Sequence, residues 1–298
     1  MLLHISSPLI SHVMAFHKLF PEQLLNVLLS YAVEQPFDDF QEVHRDKIGS
    51  LILDSGAYTL NKSKWAKRPK DILTAYAHFC SLTSPYYNFL FNLDENFTPH
   101  GFDENMNNQL ELEAAGLAPV PVVHNLYNGE IERLIDYGYD IIAIGQCEQG
   151  RNFRQLESAV KRIHGAQRKV HLFGVTELGV LQDLPIWSCD SSSWSQYVKY
   201  GQVMWWNDAN KDWNPYDILY FPKTESEHEA SKGKNYWDYR FRDEFDAYIS
   251  KNLNITIDDL IGHEKVLNRS LVNILFYKEM EMRVTAYHRD VKGFVFQE

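Results

Sequence analysis

From residue 48 onward, short continuous apolar runs alternate with longer stretches whose apolar residues recur every three to four positions, the pattern of successive βα units. The runs fall at residues 50–54, 87–94, 120–124, 140–145, 170–175, 186–190 and 202–206, and residues 2–6 supply one more. Amphipathic segments at 69–81, 102–115, 129–137 and 152–164 predict helices between them. Strands apolar on both faces belong to a parallel sheet covered by helices, and eight of them predict closure into a TIM-like (β/α)8 barrel rather than an open doubly wound sheet. The alternation stops after residue 209. A polar stretch at 223–235 then leads into helix-like segments at 236–253 and 257–289, the second opened by Thr256 with Asp258 and Asp259 in its first turn. The expected organisation is a catalytic barrel over residues 1–209 and a helical appendage over 210–298 packed on it.

Composition narrows the class. Of 298 residues, 45% are hydrophobic and 23% charged, enough apolar material for a packed core and too little charge for a disordered chain. Apolar runs such as 141–145 are far shorter than the roughly 20 residues a membrane span requires, and the N-terminus lacks a basic leader, so no membrane partner and a cytoplasmic location are expected. Cys80, Cys147 and Cys189 form no CxxC pair, which excludes a four-cysteine zinc site and suits a reducing compartment. A net charge of −11 repels polyanions at long range. Lys62, Lys64, Lys67, Arg68 and Lys70 around Trp65 reverse that sign locally; such a segment either holds phosphates and stacks a base or is a solvated loop.

Three predicted strands end in aspartate, at Asp54, Asp94 and Asp190. All strand C-termini of a barrel open on one face, so these carboxylates converge there, although an aspartate after a strand also serves as an ordinary cap or turn residue. Paired carboxylates suit substitution at an anomeric carbon, one attacking the oxocarbenium-like centre while the other moves a proton on the leaving group. Carboxylates with His4, His124 and His171 also suit a divalent metal, but no HxH or HExxH pair is present, and neither GxGxxG nor a P-loop occurs. No metal and no cofactor are therefore expected. Around the aspartates, Asp54-Ser-Gly-Ala-Tyr58 and His171-Leu-Phe-Gly174 place small residues where the protein backbone can approach a ligand closely and aromatics that can stack on a planar ring, or else form an ordinary turn with a core aromatic.

The order DSGAY, FNLDEN, PVVHN, AIGQ, HLFGV, CDSSSW resembles the tRNA-guanine transglycosylase superfamily over residues 48–194, particularly its phage and bacterial branch that inserts 7-deazaguanines into DNA. That resemblance implies a TIM barrel and a pentosyltransferase that exchanges guanine for a free 7-deazaguanine base through a covalent glycosyl-enzyme. It implies Asp190 as nucleophile, Asp54 as the proton-transferring residue, and Asp94 as reader of the guanine N1 and 2-amino edge. Tyr58 and Phe173 would sandwich the ring, and His124 with the backbone around Gly145 and Gln146 would face its other polar edge. Lys62, Lys64, Lys67 and Arg68 would contact nucleic acid. The tRNA enzymes carry a cysteine-rich zinc site toward their C-terminus, and no cysteine follows Cys189 here, which favours DNA over tRNA as the polymer. Gly56-Ala57 also replaces the family's double glycine, adding a methyl group near the expected pocket. The rivals are the same chemistry on tRNA, a metal-dependent barrel hydrolase, and a non-catalytic nucleic-acid-binding protein.

Overall fold

The computed structural model describes residues 1–62, 71–147, 152–210, 215–221, 234–262 and 265–296. Eight strands form one curled sheet in which every pair is parallel: β1 (Leu2–Ser6), β2 (Leu25–Ser30), β3 (Ile48–Asp54), β4 (Phe89–Leu90), β5 (Val122–Val123), β6 (Ile141–Ile144), β7 (Lys169–Leu172) and β8 (Ser188–Ser191). The sheet order β4-β3-β2-β1-β8-β7-β6-β5 fits a TIM-like α/β fold. Its two edges also meet. Phe91 and Val120 form a parallel bridge, with Val120 N–H donating to Leu90 O at 2.7 Å and Asn92 N–H donating to Val120 O at 3.0 Å.

Residues two apart share one face of a strand, and that parity builds the interior of the sheet. Leu28, Ile52, Phe91, Val120, Val122 and Ala143 pack as one buried cluster, with Phe89, Ile141 and Phe173 against it. In the same parity, β1, β3, β7 and β8 contribute a neutral polar row. His4 Nδ1 donates to Cys189 O at 3.2 Å and its Nε2 accepts from the Ser50 hydroxyl at 2.9 Å, while His171 Nδ1 lies 2.8 Å from Ser188 Oγ. Burial, helped by the nearby His171, drives the His4 pKa down to about 3, so the ring is neutral and can sit inside the sheet.

The helices that cover these strands follow the sequence pattern closely: α3 (Ile72–Thr83), α4 (Phe102–Ala114), α5 (Glu130–Tyr137) and α6 (Phe153–Gly165). Asp71 caps α3 through the Thr74 N–H, and Asn152 caps α6 through the Gln155 N–H. The remaining α-helices before residue 202 are α1 (Ile10–Leu19), α2 (Ala57–Lys62), α7 (Leu178–Asp183) and α8 (Ser193–Lys199).

Two strands differ from expectation. Residues 25–30 form β2, whereas the sequence pattern assigned no strand there. Residues 202–206 do form a strand, β9 (Gln202–Trp206), but it pairs antiparallel with β10 (Tyr216–Tyr220) in a separate three-stranded sheet completed by β11 (Lys234–Asn235). A run such as Val203-Met-Trp-Trp206 is buried on both faces in either sheet, so periodicity does not reveal its partner.

The chain divides into two compact units, one of residues 1–8, 25–191 and 281–298, the other of residues 9–24 and 192–280. The first holds the eight-stranded sheet. Glu281 in α10 (Val266–Tyr287) accepts from the Leu3 N–H and the Asn26 side chain, and His288 Nε2 donates to Leu181 O at 2.6 Å. The second unit holds β9–β11, with α9 (Arg242–Leu253) and most of α10. Trp206 stacks on Phe276 at 5.1 Å and donates its indole N–H to the Phe276 carbonyl, while the Asn273 side chain satisfies Met204 N–H and Trp194 O. No described helix is long and apolar enough to cross a membrane.

Gly56 sits at φ +80°, where a Cβ would lie 2.3 Å from Ala32 Cβ and 2.7 Å from Ser30 Oγ. Gly56→Ala should therefore destabilise the fold by about 2 kcal/mol or more, through both the left-handed backbone and the overlap. The shift of the urea midpoint at constant slope measures this.

Candidate active site

The C-terminal end of the eight-stranded sheet gathers the three aspartates that the sequence places at strand ends. Asp54 closes β3, Asp190 lies in β8, and Asp94 follows β4. Asp54 feels the charge of both others, which places the three carboxylates in one electrostatic neighbourhood. Their surroundings differ sharply.

Asp190 is buried and held by fixed donors. The Ser6 hydroxyl, at the end of β1, donates to Oδ2 at 2.7 Å, and the Gly174 N–H donates to Oδ1 at 3.0 Å. His171 Nε2 lies 3.6 Å from Oδ1, too far for a hydrogen bond, and finds no other partner. Burial raises the Asp190 pKa, but His171, Ser6 and Gly174 together outweigh it and hold the carboxyl below its ordinary value. His171 itself is lowered, because burial among Phe91 and Phe173 outweighs the pull of Asp190.

Asp54 experiences the reverse. Burial first, then the charges of Asp94 and Asp190, push its pKa up to about 7, only partly offset by the Gly56 backbone and the Ser30 hydroxyl. One carboxyl thus keeps its proton near neutrality while another has given its proton up. Pairs whose environments push them apart in this way can divide acid and nucleophile roles between them.

Asp94 is engaged with protein on both oxygens. His124 Nε2 lies 2.8 Å from Oδ2, and the Ser55 hydroxyl reaches Oδ1 at 3.4 Å. The other ring nitrogen of His124 donates to Gln146 O at 2.7 Å. The close approach of ring to backbone explains Gly145, where a Cβ would meet His124 Cε1 and Val122 Cγ1, each at 2.7 Å. Both nitrogens of His124 are therefore committed to protein partners.

No protein-family model matches this chain, and no curated protein does. The site rests on its own geometry.

Among the other residues singled out in the sequence, Phe173 lies on Phe91 with ring centroids 4.4 Å apart, next to Asp190's donor Gly174. Tyr58, on α2, is 47% exposed. Lys62 is the last residue of α2, and Lys64, Lys67 and Arg68 lie outside the described residues, as do Trp65 and Lys70. Among the described residues, no group of three or more His, Cys, Asp or Glu side chains is arranged to hold a metal ion.

The supporting roles of three residues escaped the sequence reading. Ser6 ends the strand expected at residues 2–6 without being marked as a site residue, and the parity of β1 turns it inward to Asp190. Gly174 acts through its N–H, which carries no sequence signal. Glu130, at the start of α5, accepts the backbone N–H groups of His124 and Asn125 at 2.9 and 3.1 Å, an acidic residue in a first helical turn used to pin the preceding loop.

The raised Asp54 pKa has a stability consequence. The folded protein binds this proton more tightly than the unfolded chain, so the stability that Asp54 contributes is intact below about pH 4 and is lost as pH rises toward 7. Asp54→Asn should match wild type at pH 4 and gain progressively up to about pH 7, by at most about 4 kcal/mol and less to the extent that solvent reaches the carboxyl. Urea unfolding of both proteins across this range tests it; a constant difference at all pH values would contradict it.

Proposed function

We propose that the protein is a DNA guanine transglycosylase that exchanges guanine for a 7-deazaguanine derivative through a covalent aspartyl-glycosyl intermediate. The scaffold is then a (β/α)8 barrel, its ring closed by the Phe91–Val120 bridge, with the reacting groups at the C-terminal mouth. The observation that carries the reading is the opposed protonation of Asp54 and Asp190, the two residues to which the resemblance assigns acid and nucleophile. Glycosyl exchange needs both states at once, in one site, near neutral pH.

In the first half-reaction an Asp190 oxygen attacks C1′ as the C1′–N9 bond breaks. The bond's electron pair leaves with the base, and Asp54 delivers its proton to that base. The Ser6 hydroxyl and Gly174 N–H hold the carboxylate in place for attack. In the second half-reaction Asp54, now ionised, accepts the N9 proton of the incoming deazaguanine, whose nitrogen displaces Asp190 from C1′. Two inversions give net retention and regenerate both carboxyl groups in their starting forms. Asp94 accepts from the N1–H and 2-amino donors of guanine, a pair that adenine does not offer.

A stacked base hides its C1′–N9 bond, so the target nucleotide must be flipped out or single-stranded, at a cost of a few kcal/mol. The basic residues from Lys62 to Lys70 are suited to offset that cost through phosphate contacts. DNA is preferred to tRNA because no cysteine follows Cys189 to build the zinc site of the tRNA enzymes. Nucleoside mass spectrometry of DNA and tRNA after incubation with isotope-labelled 7-deazaguanines tests both chemistry and polymer. Label in tRNA alone would move the protein to the tRNA branch, and label in neither would remove the exchange reading.

Two variants separate the roles. Asp190→Ala should abolish exchange and the denaturation-resistant protein–DNA adduct together. Asp54→Asn should retain DNA binding but slow exchange by about two to four orders of magnitude, and wild-type exchange should fall as pH rises through about 7, where Asp54 loses its proton. Near-wild-type turnover by Asp54→Asn would assign the proton to another group.

A further inference from the structure

The contact between His124 and Asp94 is governed by a simple count of donors and acceptors. His124 Nδ1 faces the Gln146 carbonyl, which only accepts, so Nδ1 carries a hydrogen. Nε2 faces Asp94 Oδ2 at 2.8 Å, a distance that requires a proton between the two atoms. The pair therefore holds one proton beyond that of a neutral imidazole facing a carboxylate, either on Nε2 or on Oδ2. The surrounding charges favour the ring. Asp94 faces it from the segment after β4, Glu130 from the start of α5, and the Gln146 carbonyl from the segment after β6, while Asp54 faces Asp94 from β3. Burial opposes a charged imidazole, but these acceptors and negative charges together raise the ring above its ordinary value. The side chains are 3% and 9% exposed, so water contributes little to either charge.

We propose that His124 is a buried imidazolium and a positioning residue: it donates to Asp94 and Gln146 at once, keeping Asp94 an ionised, acceptor-only carboxylate whose remaining lone pairs read adjacent donors on a guanine-type base. The ligand in this statement rests on the transglycosylase reading; the protonation of His124 rests on the donor count together with the acceptors and negative charges around the ring. Specificity follows from the charge state. A protonated Asp94 would offer a hydroxyl donor and tolerate bases that present an acceptor at that edge, whereas the ionised form rejects them. The same ring also shields Asp54. Without the imidazolium, the Asp94 charge would act on Asp54 uncompensated and tighten its hold on its proton.

Ring-nitrogen NMR of the full-length, 15N-histidine-labelled protein tests the charge state. His124 is assigned by difference from His124→Gln or, should that variant not fold, by through-bond correlation to its backbone amide. Both ring nitrogens are expected to remain protonated at a pH where an ordinary histidine has already lost one of its two ring protons. A neutral tautomer with bare Nε2 at pH 7 would overturn the proposal. Calorimetric titration with guanine should then show about 10- to 100-fold weaker binding to His124→Gln than to wild type, with the alkaline limb of exchange moved to higher pH. Equal affinities and an unmoved limb would leave His124 a merely structural residue. Failure of wild type to bind guanine while the imidazolium signal is present would instead overturn the guanine reading, and the positioning role with it, but not the protonation.

Discussion

Three carboxyl groups share one neighbourhood at the end of the eight-stranded sheet, and their mutual repulsion must be relieved before the surrounding strands can pack. Each is relieved in a different way. Asp190 receives a hydroxyl and a backbone N–H, Asp94 receives the His124 ring, and Asp54 keeps its proton. The three solutions depend on one another, since any charge removed from one carboxyl changes the cost of charging the next. The neutral row beneath them, His4 with Ser50 and His171 with Ser188, adds polarity without adding charge.

This dependence explains why the supporting residues are so ordinary. Ser6, Gly174 and Glu130 perform no chemistry in the proposed exchange; they fix the atoms that do. A donor at 2.7 Å to a buried carboxylate is a charge-assisted bond, worth more than its neutral counterpart, and it also settles which way the carboxylate points. In such a site the electrostatic and the geometric requirements are met by the same bonds.

The legibility of this arrangement in the sequence was uneven, for physical reasons. Helices α3 to α6 were readable because amphipathic spacing and caps such as Asn152 are local. The aspartates at strand ends were readable because a charged residue terminating an apolar run is conspicuous. Residues 25–30 were not readable as a strand, since Leu25-Asn-Val-Leu-Leu29 lacks alternation and follows closely on the pattern of α1. The place of β9 was hidden as well, because pairing is a long-range choice that a short, doubly buried run does not encode. His124 was marked as a site residue, yet its commitment to Asp94 and Gln146 depends on positions 30 and 22 residues away.

The division of the chain into units has a consequence for inheritance. Neither unit is a continuous stretch of sequence: the chain leaves the first after residue 8, returns at 25, leaves again after 191 and returns at 281 within α10. Glu281, which accepts from Leu3 and Asn26, belongs to the last of these returns. A gene fragment encoding the eight strands alone would therefore lack the residue that ties β1 and β2 at their starts, and a fragment encoding residues 192–280 alone would lack α1. Cutting the chain at any single point between residues 8 and 281 therefore yields no piece that carries the whole of the first unit.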